Sequence, residues 1–198
     1  MIKRLAFYDM DGTLMDTPMP EEGKIQWEKV KGEKYPYEGW WGRAESLDLD
    51  VFNIKPFPSV LLQLKNDTAR PDTHTVLLTS RVQKLLPQIQ KILKNYNITF
   101  DEYSLKNGSE DKGDRINKIL KKFPDVKEIS IFDDRKKELD ILKQMKSVIG
   151  DDVTVNIYKA DNGKLALTET YNKINVIIYG TIVEFDKKNK NNRIYNKI

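Results

Sequence analysis

The chain has 198 residues, of which 39% are hydrophobic and 32% are charged, a balance typical of one globular domain with a sizeable core. It contains no cysteine and only one histidine, which excludes disulfides, thiol nucleophiles and the usual zinc sites. The formal net charge is +4, but residues 187–198 alone contribute five basic side chains and no acidic one. We therefore predict a nearly neutral domain followed by a basic, flexible tail.

The apolar runs of the sequence are short. The first is broken by Asp9 and is shorter than the core of a secretory signal, and the longest, residues 176–183, is too short to cross a bilayer. We therefore expect a cytoplasmic protein with no membrane partner. The sequence does not indicate the oligomeric state.

The first predicted strand, residues 5–8, is apolar and ends abruptly at Asp9, with Asp11 and Gly12 close behind. Ligands of open α/β sheets bind beyond the carboxyl ends of the strands, so both acids are available for chemistry. A calcium loop is excluded, because glycine is fourth rather than sixth and the twelfth residue is Pro20. An ordinary Asp-Gly turn would explain Asp11 and Gly12 but would leave Asp9 unpaired.

Residues 15–58 predict a small insertion above the end of the first strand. All three tryptophans lie here, and residues 22–30 favour a short helix. The loop at 35–42 carries Trp40 and Trp41 among tyrosines and glycines. Such aromatic residues form a satellite core, which is their commoner use, or a wall on which a base or sugar stacks. On the second interpretation, Trp40 and Trp41 bind substrate.

Predicted strands and helices alternate along the rest of the chain. The strands are predicted at 75–78, 98–103, 128–132 and 153–158, and the helices at 59–65, 85–96, 114–122 and 136–145. A C-terminal β-hairpin is predicted from 164–170 and 175–185. This order predicts a Rossmann-like α/β fold, a three-layer sandwich around a mainly parallel sheet. We place one domain at 1–186, the insertion at about 15–58 and the tail at 187–198.

Polar clusters follow the predicted strands or open a predicted helix. They are Asp9 with Asp11, Thr79 with Ser80 and Arg81, Lys112, and Asp133 with Asp134. Together they supply an attacking carboxylate, a second acid, and hydroxyl and ammonium donors, which hydrolysis of a phosphomonoester needs. So many carboxylates imply a cation, and oxygen ligands without His or Cys favour Mg²⁺. A helix cap would explain one acid of the last pair, but hardly both.

The order DMDGT, LLTSR, Lys112 and FDDR resembles the haloacid dehalogenase (HAD) superfamily of aspartyl-phosphate phosphotransferases, over residues 3–158. The resemblance implies the HAD fold. It implies that Asp9 is the nucleophile and that Asp11 protonates the leaving group and then activates water. It further implies that Thr79 and Lys112 contact the phosphoryl group. The implied Mg²⁺ ligands are Asp9, the Asp11 carbonyl and Asp134, with Asp133 assisting.

Within the superfamily, LLTSR, FDDR and the GWWG stretch look similar to the Swiss Army Knife RNA repair-like branch. DMDGTL and FDDR also resemble the phosphatase half of bacteriophage polynucleotide kinase. These resemblances imply removal of a terminal phosphate from a nucleic acid, with a 3′ end favoured, or from a nucleotide. Ser80 stands where the branch favours glycine, which would alter the phosphate pocket.

Three basic residues are predicted to bind the phosphate or the nucleic-acid backbone, each with an alternative. Arg81 and Arg135 would hold a polyphosphate or a nucleic-acid backbone, or would pair with neighbouring acids. Lys106 is the alternative to Lys112, which we prefer because a helix entry favours anions. Lys112 can also be an ordinary surface lysine.

We therefore predict a magnesium-dependent phosphatase that acts on a phosphorylated nucleic-acid end or nucleotide. Its alternative is a non-catalytic nucleic-acid adaptor that uses the aromatic insertion and the basic tail, with the acids serving structure. A kinase half is not predicted, because Asp114 stands where a phosphate-binding kinase loop needs lysine.

Overall fold

The structure is a computed structural model that describes residues 1–135, 149, 152–171, 175–178, 181–184 and 193–196. Two short 3-10 helices lie at Ala44–Leu47 and Gln83–Leu85. The helices are α1 (Pro20–Lys31), α2 (Pro58–Thr68), α3 (Leu86–Lys94) and α4 (Lys112–Leu120). The strands are β1 (Arg4–Tyr8), β2 (Met15–Asp16), β3 (Lys55–Pro56), β4 (Thr73–Val82), β5 (Glu102–Lys106), β6 (Glu128–Asp133), β7 (Thr154–Asp161), β8 (Lys164–Tyr171), β9 (Asn175–Ile178), β10 (Thr181–Glu184) and β11 (Arg193–Asn196).

One large sheet organises the described chain, in the order β11-β10-β9-β8-β7-β6-β1-β4-β5. The strands from β7 to β5 in this order pair in parallel, and β8 to β11 add an antiparallel extension. The predicted α/β fold with a mainly parallel central sheet is therefore confirmed. β1 lies between β4 and β6, so the residue that follows β1 lies at the middle of the parallel edge.

Side chains of β1 point alternately to the two faces of the sheet, as the period of a strand requires. Ala6 and Tyr8 pack into one core with residues of α2, α3 and the insertion. Leu5 and Phe7 pack into a second core with residues of α4. Both faces are therefore covered, which explains why residues 5–7 of β1 are apolar and why the whole strand is buried.

The insertion is closed at its base and has its own aromatic core. β2 and β3 pair in antiparallel fashion, with Met15 opposite Pro56, so the two ends of the intervening segment meet. Trp27 and Trp40 both contact Tyr35 through tilted or edge-on ring packing. The satellite-core interpretation therefore holds for most of these rings.

The element predictions differ from the structure at two places. Residues 98–100 are not a strand, although Ile98 and Phe100 are buried, and β5 begins only at Glu102. Asn97 turns the chain with a φ of 54°, and the Asp101 carboxylate takes the backbone N–H of Thr75 that a strand would have used. The predicted hairpin second strand is divided into β9 and β10, and β8 pairs antiparallel with β9.

The sequence predicts a helix at 136–145 and a tail at 187–198 in the C-terminal part of the chain. Residues 193–196, which fall in the predicted tail, pair with β10 as strand β11. The predicted helix at 136–145 lies outside the described residues, and the domain boundaries stay predictions. Of the helices that the structure describes, none has the length and apolarity needed to cross a bilayer.

A buried polar network joins α2 to β1 and β6. Arg4 donates through Nη2 to both oxygens of Asp67, at 3.1 and 3.2 Å, and through Nη1 to Ser130 Oγ at 2.6 Å and to Glu128. Tyr8 Oη donates to Asp67 Oδ2 at 2.5 Å. Burial and the Asp67 carboxylate raise the pKa of Tyr8, so its hydroxyl stays protonated and remains a donor. Asp67 therefore anchors the strand that ends at Asp9.

Replacing Asp67 with alanine should lower the free energy of unfolding by about 3 kcal/mol, because the buried Arg4 guanidinium loses one of its two carboxylate partners and Tyr8 loses its acceptor. Urea unfolding at neutral pH measures the change. The matched control is Asp72→Ala, which removes the carboxylate of an exposed pair with Arg70 and should leave the midpoint near that of the wild type. Equal stability of the Asp67 variant and the wild type would contradict the structural role of the network.

Candidate active site

Two carboxylates are brought together by the ends of β1 and β6. Tyr8 pairs in register with Phe132, and the N–H of Asp9 donates to the Phe132 carbonyl at 2.9 Å. Directly below, the rings of Tyr8 and Phe132 stack at a centroid distance of 4.3 Å, and Phe132 stacks on Tyr158 of β7 at 4.6 Å. This aromatic ladder across three neighbouring strands places Asp9 and Asp133 side by side at the carboxyl edge of the sheet.

Lys112 lies between these two carboxylates. It is the first residue of α4, which begins with a capping box formed by Asp111 and Asp114. Its Nζ donates to Asp9 Oδ1 at 2.8 Å and to Asp133 Oδ2 at 2.5 Å, and only 2% of the residue is exposed. Lys106, the alternative considered from the sequence, is exposed at the end of β5. The structure thus brings Lys112, and not Lys106, to Asp9.

Asp11 is held by a buried arginine. Arg81 Nε donates to Asp11 Oδ2 at 3.0 Å and Nη2 to Oδ1 at 2.8 Å, in a two-pronged contact. Thr17 Oγ1 adds a third donor to Oδ1 at 2.8 Å. The sequence left open whether Arg81 binds phosphate or pairs with an acid, and in this structure it pairs with Asp11.

Arg81 also reaches the insertion. Its Nη1 donates to the Trp41 carbonyl at 3.0 Å and to Ser46 Oγ. Its guanidinium carbon lies 4.9 Å from the centre of the Trp41 ring. Because the Arg81 side chain has no exposed surface, the insertion and the β4 end form one continuous wall beside Asp11.

Asp134 completes a group of three acids. One oxygen of each of Asp9, Asp133 and Asp134 lies within 4.8 Å of the others, a spacing that suits a shared cation. Asp134 Oδ1 is buried and has no hydrogen-bond partner among the described atoms. Gly12, at a φ of 71°, leaves room for this carboxylate, since a Cβ there would lie 2.8 Å from Asp134 Oδ2. The Asp11 side chain is not part of the group.

The cluster carries an excess of negative charge. Burial raises the pKa of Asp9 to about 7, and Asp133 and Asp11 act in the same direction while Lys112 opposes them. Burial and Asp133 likewise raise the pKa of Asp134. Burial alone would lower the pKa of Lys112, but the two carboxylates that it contacts raise it, so the lysine stays charged. One ammonium therefore faces three carboxylates, and the hard oxygen donors and their unpartnered atom fit Mg²⁺.

The end of β4 supplies hydroxyl groups. Thr79 is fully buried, and its Oγ1 accepts the backbone N–H of Arg81 at 3.1 Å. Its carbonyl accepts Arg115 Nη1 at 3.0 Å, which fixes the backbone at this point. Ser80 lies at the rim, where its Oγ accepts Arg135 Nη2 at 3.1 Å. Ser80 thus lines the cavity with Asp9, Asp11 and Asp134, whereas Thr79 is buried behind it and is not part of the lining.

The acids open into a cavity of about 340 Å³. Its lining joins the carboxylates to the rim and consists of Asp9, Asp11, Gly12, Thr17, Met19, Trp41, Ser80, Arg81, Asp134 and Arg135. A cavity of this size and depth is typical of small-ligand sites. All the substrate-binding residues predicted from the sequence lie here except Trp40.

The prediction that Trp40 binds substrate is wrong. Its side chain is 3% exposed, packs against Tyr35 and Phe52, and donates through Nε1 to the Pro18 carbonyl at 2.9 Å. The ring fits because residue 23 is glycine, where a Cβ would come within 2.2 Å of it. Burying this large apolar ring stabilises the insertion, which is why only the next residue, Trp41, reaches the cavity.

Three residues at the site were not predicted from the sequence. Thr17 and Ser46 belong to the insertion and contact Asp11 and Arg81, and no local pattern marks either of them. Arg115 was within reach of sequence reasoning, because it follows Lys112 by three positions on a predicted helix and so shares its face.

The chain is similar to a known protein family and to a yeast protein. The family model described as "HAD domain family 1 in Swiss Army Knife RNA repair proteins" matches residues 27–178, which include Thr79, Lys112 and Asp133 but begin after Asp9. An uncharacterized protein of Saccharomyces cerevisiae is 25% identical over an alignment that covers 72% of this chain and 36% of that relative. The chain thus spans about a third of the length of this relative.

A solved structure has a similar fold. The Legionella pneumophila effector Ceg4 superposes with a TM-score of 0.52 at 14% identity, over 83% of this chain and 89% of the effector. A chain of the Pnkp1/Rnl/Hen1 complex gives a TM-score of 0.49 at 14% identity, over 80% of this chain and 45% of that one. At such identities the likeness to Ceg4 shows the fold alone.

Replacing Lys112 with methionine should lower the free energy of unfolding by about 3 kcal/mol near neutral pH, because Asp9 and Asp133 lose the ammonium between them. The loss should shrink as the pH falls from about 8 to about 5, since raised carboxyl pKa values let the folded protein bind protons before the unfolded chain does. Urea unfolding across this pH range measures both effects. The control is Lys106→Met, which removes the exposed alternative lysine. Equal effects of the two variants would contradict the conclusion that Lys112 is the lysine that pairs with Asp9 and Asp133.

Proposed function

Because the chain belongs to HAD domain family 1 of Swiss Army Knife RNA repair proteins, we propose that it is a magnesium-dependent phosphomonoester hydrolase that acts through a phosphorylated aspartate. Its proposed substrate is the terminal phosphate of a nucleic acid, with a 3′ end favoured, or of a nucleotide. The observation that carries the proposal is the group formed by the buried Asp9, Lys112 and Asp133 and the half-buried Asp134 at the carboxyl edge of a parallel sheet.

Asp9 is the proposed nucleophile. It is 3% exposed, yet it lines the cavity, and Lys112 holds its Oδ1 so that the carboxylate has one orientation. In the first step a carboxylate oxygen of Asp9 attacks phosphorus and the bond from phosphorus to the leaving oxygen breaks. In the second step water attacks the same phosphorus, inorganic phosphate leaves, and the Asp9 carboxylate is restored.

Asp11 is the proposed acid and base of these steps. It donates a proton to the leaving oxygen in the first step and takes a proton from water in the second. Thr17 and Arg81 hold its carboxylate at the cavity wall, two residues beyond Asp9. Their donors fix the position of the Asp11 carboxylate beside Asp9, and such positioning is what general acid catalysis requires.

Asp9, Asp133 and Asp134 would hold the Mg²⁺ ion. When bound, the ion supplies the positive charge that offsets the carboxylates and the incoming phosphate. The fit rests on three hard oxygen donors within 4.8 Å, on the unpartnered Oδ1 of Asp134, and on the net negative charge of the group. Lys112 supplies further positive charge, and Thr79, Ser80 and Arg135 are the proposed phosphate contacts beside it.

The nucleic-acid substrate is proposed from the family and from the shape of the site. The family description refers to RNA repair proteins. The cavity is about 340 Å³, which suits one terminal residue rather than a long segment, and it opens to the surface at Trp41 and Met19. The cytoplasmic location inferred from the sequence stays a prediction.

Asp9→Asn should abolish phosphate release from a 3′-phosphorylated oligonucleotide, because an amide oxygen is a poor nucleophile and a weaker metal ligand. Chelation of divalent ions should abolish it in the wild type, and added Mg²⁺ should restore it. The assay is release of inorganic phosphate, and the control is Asp101→Asn, at an acid outside the cavity. Full activity of Asp9→Asn or of the chelated protein would contradict the mechanism.

A panel of phosphomonoesters should separate the substrate classes. The wild type should release phosphate faster from 3′-phosphorylated oligonucleotides than from 5′-phosphorylated ones, free nucleotides or sugar phosphates. Equal values of kcat/KM on small sugar phosphates would contradict the nucleic-acid substrate but not the phosphatase mechanism. Salt-sensitive binding of oligonucleotides without any turnover would favour the adaptor function instead.

A further inference from the structure

Trp41 differs from the other tryptophans in its surroundings. Trp27 and Trp40 are 5% and 3% exposed and belong to the core, whereas Trp41 is 37% exposed and lines the cavity that holds the acids. An exposed indole at the mouth of a cavity offers a large flat surface that has not been covered by folding. Its position therefore suits a ligand with a flat, apolar surface that can stack on the ring.

The Trp41 platform, by which we mean the indole ring and its support, is fixed from below. The Trp41 carbonyl accepts Arg81 Nη1 at 3.0 Å, and the guanidinium of the same arginine lies 4.9 Å from the ring centre. Trp40, the preceding residue, is anchored in the core. A ring held in this way loses little freedom when a ligand stacks on it, so stacking yields more of its energy as affinity.

The platform lies on the side of the leaving group. Arg81 contacts both the Trp41 carbonyl and the Asp11 carboxylate, so one guanidinium spans the distance between them. Asp11 is the proposed proton donor to the leaving oxygen, whereas Lys112 and the proposed metal-binding acids would meet the phosphate. The body of the leaving group, and not the phosphate, therefore meets Trp41.

We propose that Trp41 is a specificity-determining residue on which the base of the leaving nucleoside stacks. The inference rests on the proposed phosphatase function and adds the chemical class of the group that the site selects, a planar nucleobase on the terminal residue. Met19, which is 56% exposed at the same mouth, adds an apolar, adaptable surface beside the ring. Base stacking on an aromatic ring accepts every base, so we expect preference for a base but not for one sequence.

The test compares two oligonucleotides that each end in a 3′-phosphate, one with a normal terminal residue and one with a stable abasic analogue there. In the wild type the base should raise kcat/KM by roughly tenfold. In Trp41→Ala this ratio should fall to about one, and Trp41→Phe should keep part of it. Because Arg81 also donates to the Trp41 carbonyl, the alanine variant keeps that hydrogen bond and loses the ring together with its contact with the guanidinium.

Ile25→Ala is the control, since it removes an exposed apolar side chain of α1 that does not line the cavity, and it should keep the wild-type ratio. A nucleoside 3′-phosphate and ribose 3-phosphate form a second pair, which tells whether the base acts in free nucleotides as well as at polymer ends. An unchanged ratio in Trp41→Ala, with turnover intact, would overturn the platform alone. Absence of turnover on every substrate by the wild type would overturn the proposed function and the platform with it.

Discussion

Lys112 is buried between two carboxylates, and the surrounding structure depends on that placement. A buried ammonium is costly unless it is paired, and here Asp9 and Asp133 accept its hydrogen bonds at 2.8 and 2.5 Å. Three elements must meet for this to happen: β1 and β6 must end in register, and α4 must begin opposite them. The stacked rings of Tyr8 and Phe132 hold that register from below. The three carboxylates outnumber the single ammonium, so the group remains net negative and favours the binding of a further cation.

Arg81 joins the insertion to the sheet, whereas Lys112 joins α4 to the ends of two strands. Arg81 donates through Nη2 to the Asp11 carboxylate. Through Nη1 it donates to Ser46 and to the Trp41 carbonyl, which both belong to the insertion. A change in how the insertion folds would therefore move the proposed proton donor. The position of the insertion and that of the proposed proton donor thus depend on the same buried side chain.

Much of the site was predictable because parallel strands end at one edge. An apolar strand that stops at a charge marked Asp9 and Asp133, and a helix entry marked Lys112, so local patterns were sufficient there. They were not sufficient for Trp40 and Trp41, which are identical neighbours in a loop without a period. Trp40 is buried through tertiary contacts, which include the space beside Gly23 and the hydrogen bond to the Pro18 carbonyl. The pairing of Arg81 with Asp11 likewise depends on a fold of the insertion that no short-range pattern reveals.

The proposed mechanism requires that the phosphoryl group pass through Asp9. The most direct measurement is mass spectrometry of acid-quenched, protease-digested protein after reaction of Asp11→Asn with Mg²⁺ and a substrate that has a good leaving group, because this variant can accept the phosphoryl group but lacks the base for the water step. The peptide that contains Asp9 should carry the mass of one phosphoryl group, and the Asp9→Asn protein should carry none. A phosphoryl group on another residue, or wild-type turnover with no phosphorylated peptide in either protein, would contradict the mechanism.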